Sequence, residues 1–175
     1  MGYLPARKLA DSYGCKKVSY VEGNMFSMPF TEGNFDFVWN IGTIEHYEKE
    51  LIIDLMKEMI RVTKDNGYAG IAIPNFKSLP IKKSKFLAHP KYKKILSFVP
   101  GYRLDSEISY NVDDLRNMLL IASKEAGYRL ENFRTFYLGS PLLVGAPKIF
   151  IKLFSSFERF FTKRKFLLLM IVQKK

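Results

Sequence analysis

Residues 33–75 read GNFDFVWNIGTIEHYEKELIIDLMKEMIRVTKDNGYAGIAIPN. The segment opens on a turn pair, Gly33-Asn34, and enters a short apolar stretch, Phe35 to Trp39, which predicts a buried strand. Asn40 and Gly42 stop that stretch. Between Ile44 and Thr63 the spacing turns helical, with Leu51, Ile52, Leu55, Met56, Met59 and Ile60 sharing one side. Lys64-Asp65-Asn66-Gly67 predicts a break with a turn at Asn66-Gly67. Tyr68 to Ile73 is a further apolar run, closed by Pro74-Asn75. Strand, helix and strand in this order predict parallel strands joined by a crossover helix.

Upstream, Val18 to Glu22 is a β-rich run ending at Gly23-Asn24. Pro5 to Tyr13 reads as a short helix: Pro5 suits a first-turn position, Leu9, Ala10 and Tyr13 share a face, and Gly14 is a stop. Downstream, the segment to Leu104 reads as irregular, punctuated by Pro80, Pro90 and Pro100. Ser109 or Asn111 starts a helix through Leu115, Met118, Leu119 and Ala122 that ends at Gly127. Arg129 to Leu138 is a predicted strand and Phe166 to Gln173 a last one. Pro147 to Thr162 between them predicts an amphipathic helix with Phe150, Leu153, Phe154, Phe157, Phe160 and Phe161 on one stripe. The expectation is one α/β domain over 1–175 with a largely parallel sheet and Trp39 in its core. Ligands of such sheets bind outside the carboxyl ends of the strands. That rule selects Gly23 to Phe26, Asn40 to Gly42, and Pro74-Asn75.

The 175 residues are 47% hydrophobic and 26% charged, an ordinary globular balance. The single Cys15 excludes an internal disulfide, and His46 and His89 lack ligand spacing, so no metal motif is present. The longest uncharged apolar run, Phe166 to Val172, is too short to cross a bilayer as a helix. A cytoplasmic setting is the default. The net charge of +11 is uneven: Phe76 to Leu104 holds eight Lys/Arg and no acid, and Lys148 to Lys175 holds eight with one acid, Glu158. Such blocks attract anionic lipid, nucleic acid or acidic substrates, or are simply solvated.

The order of these pieces from Val18 to Asn75 resembles the central part of class I S-adenosylmethionine-dependent methyltransferases of the type 11 kind. The family's landmarks are matched by Gly23-Asn24, Met28-Pro29-Phe30, Phe35-Asp36-Phe37-Val38, Glu45-His46, Lys64-Asp65-Asn66-Gly67 and Pro74-Asn75. Residues 110–133 are similar to the family's later helix and strand. The resemblance implies a Rossmann-like methyltransferase fold whose last strand runs antiparallel, and S-adenosyl-L-methionine as cofactor. It also implies methyl transfer to a small or lipid-like acceptor.

By the same resemblance, Asn24, Met25 and Phe26 frame the adenine, and Asn24 stands where the family carries Asp. An amide oxygen accepts the same hydrogen bond. Asn40, Ile41 and Gly42 would pass the adenosine and the sulfonium, with Gly42 allowing close approach. Each segment has a plainer reading: a turn after a strand, and a helix-entry loop with Thr43 as N-cap. His46 is the candidate catalytic residue, as a general base or an orienter of the acceptor, or else a first-turn histidine with a local bond. Glu45 reads as structural or as a helix N-terminal acid.

No Gly-x-Gly-x-Gly occurs in the chain, so the family's glycine-rich cofactor loop is missing. The expectation is therefore a truncated domain with reduced or no activity, carrying a basic insertion at 77–104 that shapes the acceptor side. The Val18–Glu22 strand would then have to pair elsewhere, fray or be completed from outside. The alternative is a non-catalytic, degenerate methyltransferase acting as a binding module for an anionic partner or a membrane.

Overall fold

The computed structural model describes residues 3–15, 17–93, 106–139 and 163–175. A four-stranded sheet organises them. Its strands are β1 (Phe35–Ile41), β2 (Thr63–Pro74), β3 (Leu130–Leu138) and β4 (Leu167–Lys174), in the spatial order β1-β2-β4-β3. β1 and β2 are parallel. β4 lies antiparallel between β2 and β3, so three strands point one way and the last is reversed. The helices are α1 (Tyr3–Ser12), α2 (Lys49–Val62), α3 (Leu79–Ala88), α4 (Pro90–Lys93) and α5 (Val112–Ala126), with a 3-10 turn at Ile44–His46.

α2 and α5 cover one face of the sheet. Ile52, Leu55, Met56, Met59 and Ile60 of α2 meet Leu115, Met118, Leu119 and Ala122 of α5 over Ile71, Ile73, Met170 and Val172. Truncating any one of the fully buried aliphatic side chains to Ala costs about 2–5 kcal/mol. α5 begins on a capping box: Asn111 Oδ1 accepts from the amides of Asp113 and Asp114, and the Asp114 carboxylate accepts from the Asn111 amide. It ends on Gly127 in the left-handed conformation. Both limits are as the sequence implies.

Four expectations are corrected. Val18–Glu22 is not a strand; Val18 and Val21 are exposed there. Among the described residues, no strand pairs with this segment to supply the ladder that would hold it in a sheet. Trp39 is not core but 65% exposed, because β1 is an edge strand and Trp39 lies on the sheet face away from α2 and α5. The helix expected from Ile44 is broken: after the 3-10 turn, Tyr47 and Glu48 are extended and α2 starts at Lys49. The segment from Phe76 is not irregular throughout. Ser78 caps α3, its Oγ accepting from the Ile81 amide, and Pro80 sits in the first turn, where a missing N–H costs nothing.

The Asn66-Gly67 signal appears as a bulge. α2 passes directly into β2, and Phe35 pairs with Thr63 while Phe37 pairs with Tyr68, so two steps on β1 match five on β2. Asn66 takes a positive φ of 63° to absorb the excess. The predicted helix at 147–162 and the insertion beyond residue 93 up to 105 lie outside the described residues.

Candidate functional site

The carboxyl ends of β1 and β2 lie side by side, since Ile41 pairs with Ala72 and the Gly42 amide donates to Ala72 O at 3.1 Å. Gly42 has φ +69°, and a side chain added there would meet Glu45 Oε1 at 3.7 Å. The positive φ turns the chain sharply from β1 into the 3-10 turn, a conformation glycine adopts at little cost. Thr43 precedes that turn but makes no side-chain cap bond.

Among the described residues, two buried acceptors at this corner have no hydrogen-bond partner: Asn40 Oδ1 and Glu45 Oε2. Buried acceptors are normally satisfied, so such a pair marks a place where a donor belongs. Glu45 is 2% exposed, and burial pushes its carboxyl above the ordinary glutamate range. The backbone strengthens the enclosure, with the Ile108 amide donating to Glu45 O at 2.6 Å. Glu45 is therefore not a solvated acid complementing a helix dipole.

His46 is exposed, and its Nδ1 lies 2.9 Å from the Ser106 hydroxyl, which fixes the ring. The residue after it, Tyr47, accepts a hydrogen bond at its carbonyl from the Tyr110 hydroxyl at 2.8 Å. The Tyr47 ring meets Phe26 edge-on at 5.8 Å. That contact brings the Asn24–Phe26 segment against the loop that carries Glu45 and His46. Met25 and Phe26 are half-buried against the core, whereas Asn24 and Ile41 are exposed. Asn24 Oδ1 already accepts from the Phe26 amide at 3.0 Å, closing a turn of its own, with one lone pair left for a second donor.

A clamp unseen in the sequence holds this segment down. The Arg61 guanidinium donates to Phe30 O at 2.8 Å and Met28 O at 3.2 Å, and pairs with both oxygens of Glu58. Glu58 Oε2 also accepts from the Met28 amide at 2.9 Å. The Arg61 hydrogen bond holds the Glu58 carboxyl below its usual range. The only trace in the sequence is the three-residue spacing of two opposite charges on a helix. Pro74-Asn75, also selected by position, proves to be a joint: Asn75 Nδ2 donates to Lys163 O at 3.1 Å and Lys165 O at 2.9 Å.

A groove of about 360 Å³ on the other sheet face is lined by Phe37, Tyr68, Asn132, Arg134, Phe136 and Ile171. It holds none of the sequence-selected residues.

Residues 5–71 match the family model described as a methyltransferase domain. The fold is shared by SAM-dependent methyltransferases from Thermotoga maritima (TM-score 0.55, 16% identity) and Archaeoglobus fulgidus (0.52, 15%). A protein from Pyrococcus horikoshii is similar as well (0.57, 16%). These matches cover 98%, 97% and 97% of this chain and 71%, 80% and 65% of the respective neighbours. The expected resemblance to a methyltransferase domain is thus met by the family model over residues 5–71, and the described residues are similar in fold to these SAM-dependent methyltransferases.

Proposed function

We propose that this domain serves S-adenosylmethionine-dependent methyl transfer to a small or lipid-like acceptor. The observation that carries the reading is the unpartnered pair Asn40 Oδ1 and Glu45 Oε2 at the carboxyl end of β1, within a methyltransferase fold. The cofactor is rich in donors and positive charge (an adenine amino group, ribose hydroxyls, an ammonium and a sulfonium), so buried acceptors suit it. When bound, it supplies a methyl group on a sulfonium, a leaving group good enough that positioning does most of the catalytic work.

The residues present fit the adenosine side. Asn24 would accept from the adenine amino group, Met25 and Phe26 would lie along the ring, and Asn40, Ile41 and Gly42 would line the path toward the sulfonium. His46, held by Ser106, would orient the acceptor or take its proton. No glycine-rich loop is on hand among these residues to hold the amino-acid end, so affinity for the cofactor is expected to be low.

Equilibrium dialysis with labelled S-adenosylmethionine tests this. Saturable binding that weakens in Asn24→Leu and Asn40→Leu, and persists in Asn24→Asp, is the expected result. The Asp variant keeps an acceptor for the local turn and for the adenine amino group alike, so retained binding there ties the loss in Asn24→Leu to that acceptor, and an unchanged melting temperature of Asn24→Leu separates loss of the ligand contact from loss of the loop. Binding unchanged by both Leu substitutions removes the assignment. A second reading, a non-catalytic module for an anionic partner, is favoured by the basic character of α3. Absence of any saturable cofactor binding, together with retained binding to a polyanion, selects it.

A further inference from the structure

α3 follows the sheet at the same carboxyl end of the strands as the candidate site, starting shortly beyond Pro74, the last residue of β2. Its inner side buries Pro80, Ile81, Ser84 and Leu87. The outer side presents Lys82, Lys83, Lys85 and Phe86, all exposed, with Phe86 four residues after Lys82 and three after Lys83. Those spacings put the ring among the lysines on one helix face. Phe86 is 55% exposed, so most of its ring is open to solvent beside the lysines. A second basic segment is fastened beside it. The Asn75 side chain donates to Lys163 O and Lys165 O, and Arg164 Nη1 reaches Lys77 O at 3.5 Å. Lys77, Lys163 and Arg164 are exposed too. Neither 76–93 nor 163–175 contains a single Asp or Glu.

We propose that this face, the outer side of α3 with the 163–165 segment, is a docking surface for an anionic lipid membrane. All but one of the charges, Arg164, lie on strongly hydrated lysines, which attract an anionic surface without the bidentate geometry that base or phosphate readout uses. The exposed ring among them supplies the apolar element of an interfacial helix, with the aromatic residue at headgroup depth and the lysines at the lipid phosphates. The ring stands on the outer side of a helix, not in a groove of the kind that tracks a single nucleic-acid strand. Docked this way, the end of β1 with Asn40 and the turn with Glu45 would open near the lipid surface. The proposal goes beyond the methyl-transfer reading and does not depend on it, since docking requires no cofactor.

The experiment is co-sedimentation of the full chain with phosphatidylcholine vesicles, with and without phosphatidylserine, across a salt series. The expected result is binding only to the phosphatidylserine vesicles, weakening as salt rises. Lys82→Gln/Lys83→Gln should bind about 30-fold more weakly, at roughly fivefold for each basic side chain removed near an anionic surface. Phe86→Ser should weaken binding while leaving the salt dependence unchanged. Lys124→Gln, on the exposed side of α5, should bind as the parent does. All four positions are exposed, so melting temperatures should stay together; Lys85→Gln gives an independent reading should the double variant fail to fold. Equal binding to both vesicle types, indifference to all the α3 substitutions, or complete displacement from vesicles by a homopolymer RNA at equal phosphate would overturn the proposal.

Discussion

The ammonium of Lys174 lies 3.9 Å from the centre of the Tyr128 ring. It also donates to the carbonyl of Thr63 at 2.9 Å, and only 2% of the residue is exposed. Glu32 and Asp65 carboxylates stand 3.9 and 3.8 Å away, so a buried charge is compensated from several sides. Thr63 is the junction of α2 and β2, which makes Lys174 the tie between that junction and β4. Lys174→Met keeps the apolar stem and removes the charge, leaving Thr63 O without its donor. The expected loss is about 1.5–3 kcal/mol, the range for hydrogen bonds to charged groups, read from urea unfolding. A midpoint equal to the parent's would show the ammonium to be neutral in balance.

Arg61 and Glu58 hold the segment that leads from Phe26 to Phe30. The Arg61 interaction depresses the Glu58 carboxyl, so its contribution is present above the ordinary glutamate value and fades as pH falls through the depressed one. Glu58→Gln should therefore be less stable than the parent at neutral pH, with the gap closing in acid. Paired thermal melts from pH 7 down to pH 3 check this; a gap that widens in acid contradicts it.

Glu45 carries the opposite sign. Burial raises its carboxyl, so the folded state binds a proton more readily than the unfolded chain. Its stabilising protonated form is complete below the ordinary glutamate value and is lost as pH rises through the raised one. Relative to Glu45→Gln, which cannot ionise, the parent should lose stability on going from acid to neutral pH. A difference that stays flat across that interval would place the carboxyl in contact with water or an unseen donor.

Gly67 closes the bulge where α2 becomes β2. A side chain there would meet Asp36 O and Lys64 O at 2.9 Å, both backbone atoms. Gly67→Ala should cost about 1–3 kcal/mol, as overpacking does. Asn66→Gly beside it should be close to neutral, because the positive φ suits glycine. Chemical denaturation of both variants tests the pair; equal stability of Gly67→Ala and parent would show that the bulge shifts freely.

The helices α2 and α5 and the four strands of the sheet were legible in the sequence because each has a strong local signal. Apolar residues recur at three and four along α2, and Asn111 and Gly127 punctuate α5. What the sequence hid depends on neighbours. Val18 to Val21 has strand chemistry but is not placed in the sheet, and Trp39 has core chemistry on an edge strand. α3 was concealed by its prolines, since Pro80 marks a helix start as readily as a turn. At the candidate site, the loop residues were selected from strand order, and Glu45 was undervalued. Its burial comes from the segment around Ile108, far away in sequence, which no local spacing records.

The placement of β4 has a consequence for how the protein is made. β2 and β3 never touch as paired strands; both wait for residues 167–174 to fill the space between them. On a ribosome, the earlier strands emerge first and stand with open edges until that segment clears the exit tunnel. Pairing across such long stretches of chain is slow, and open apolar edges invite association in the interval. A stall or cleavage upstream of Leu167 would thus release not a slightly shortened protein but a β1–β2 pair and an unjoined β3. For a nascent chain, the quality of the product is decided in the synthesis of these eight residues.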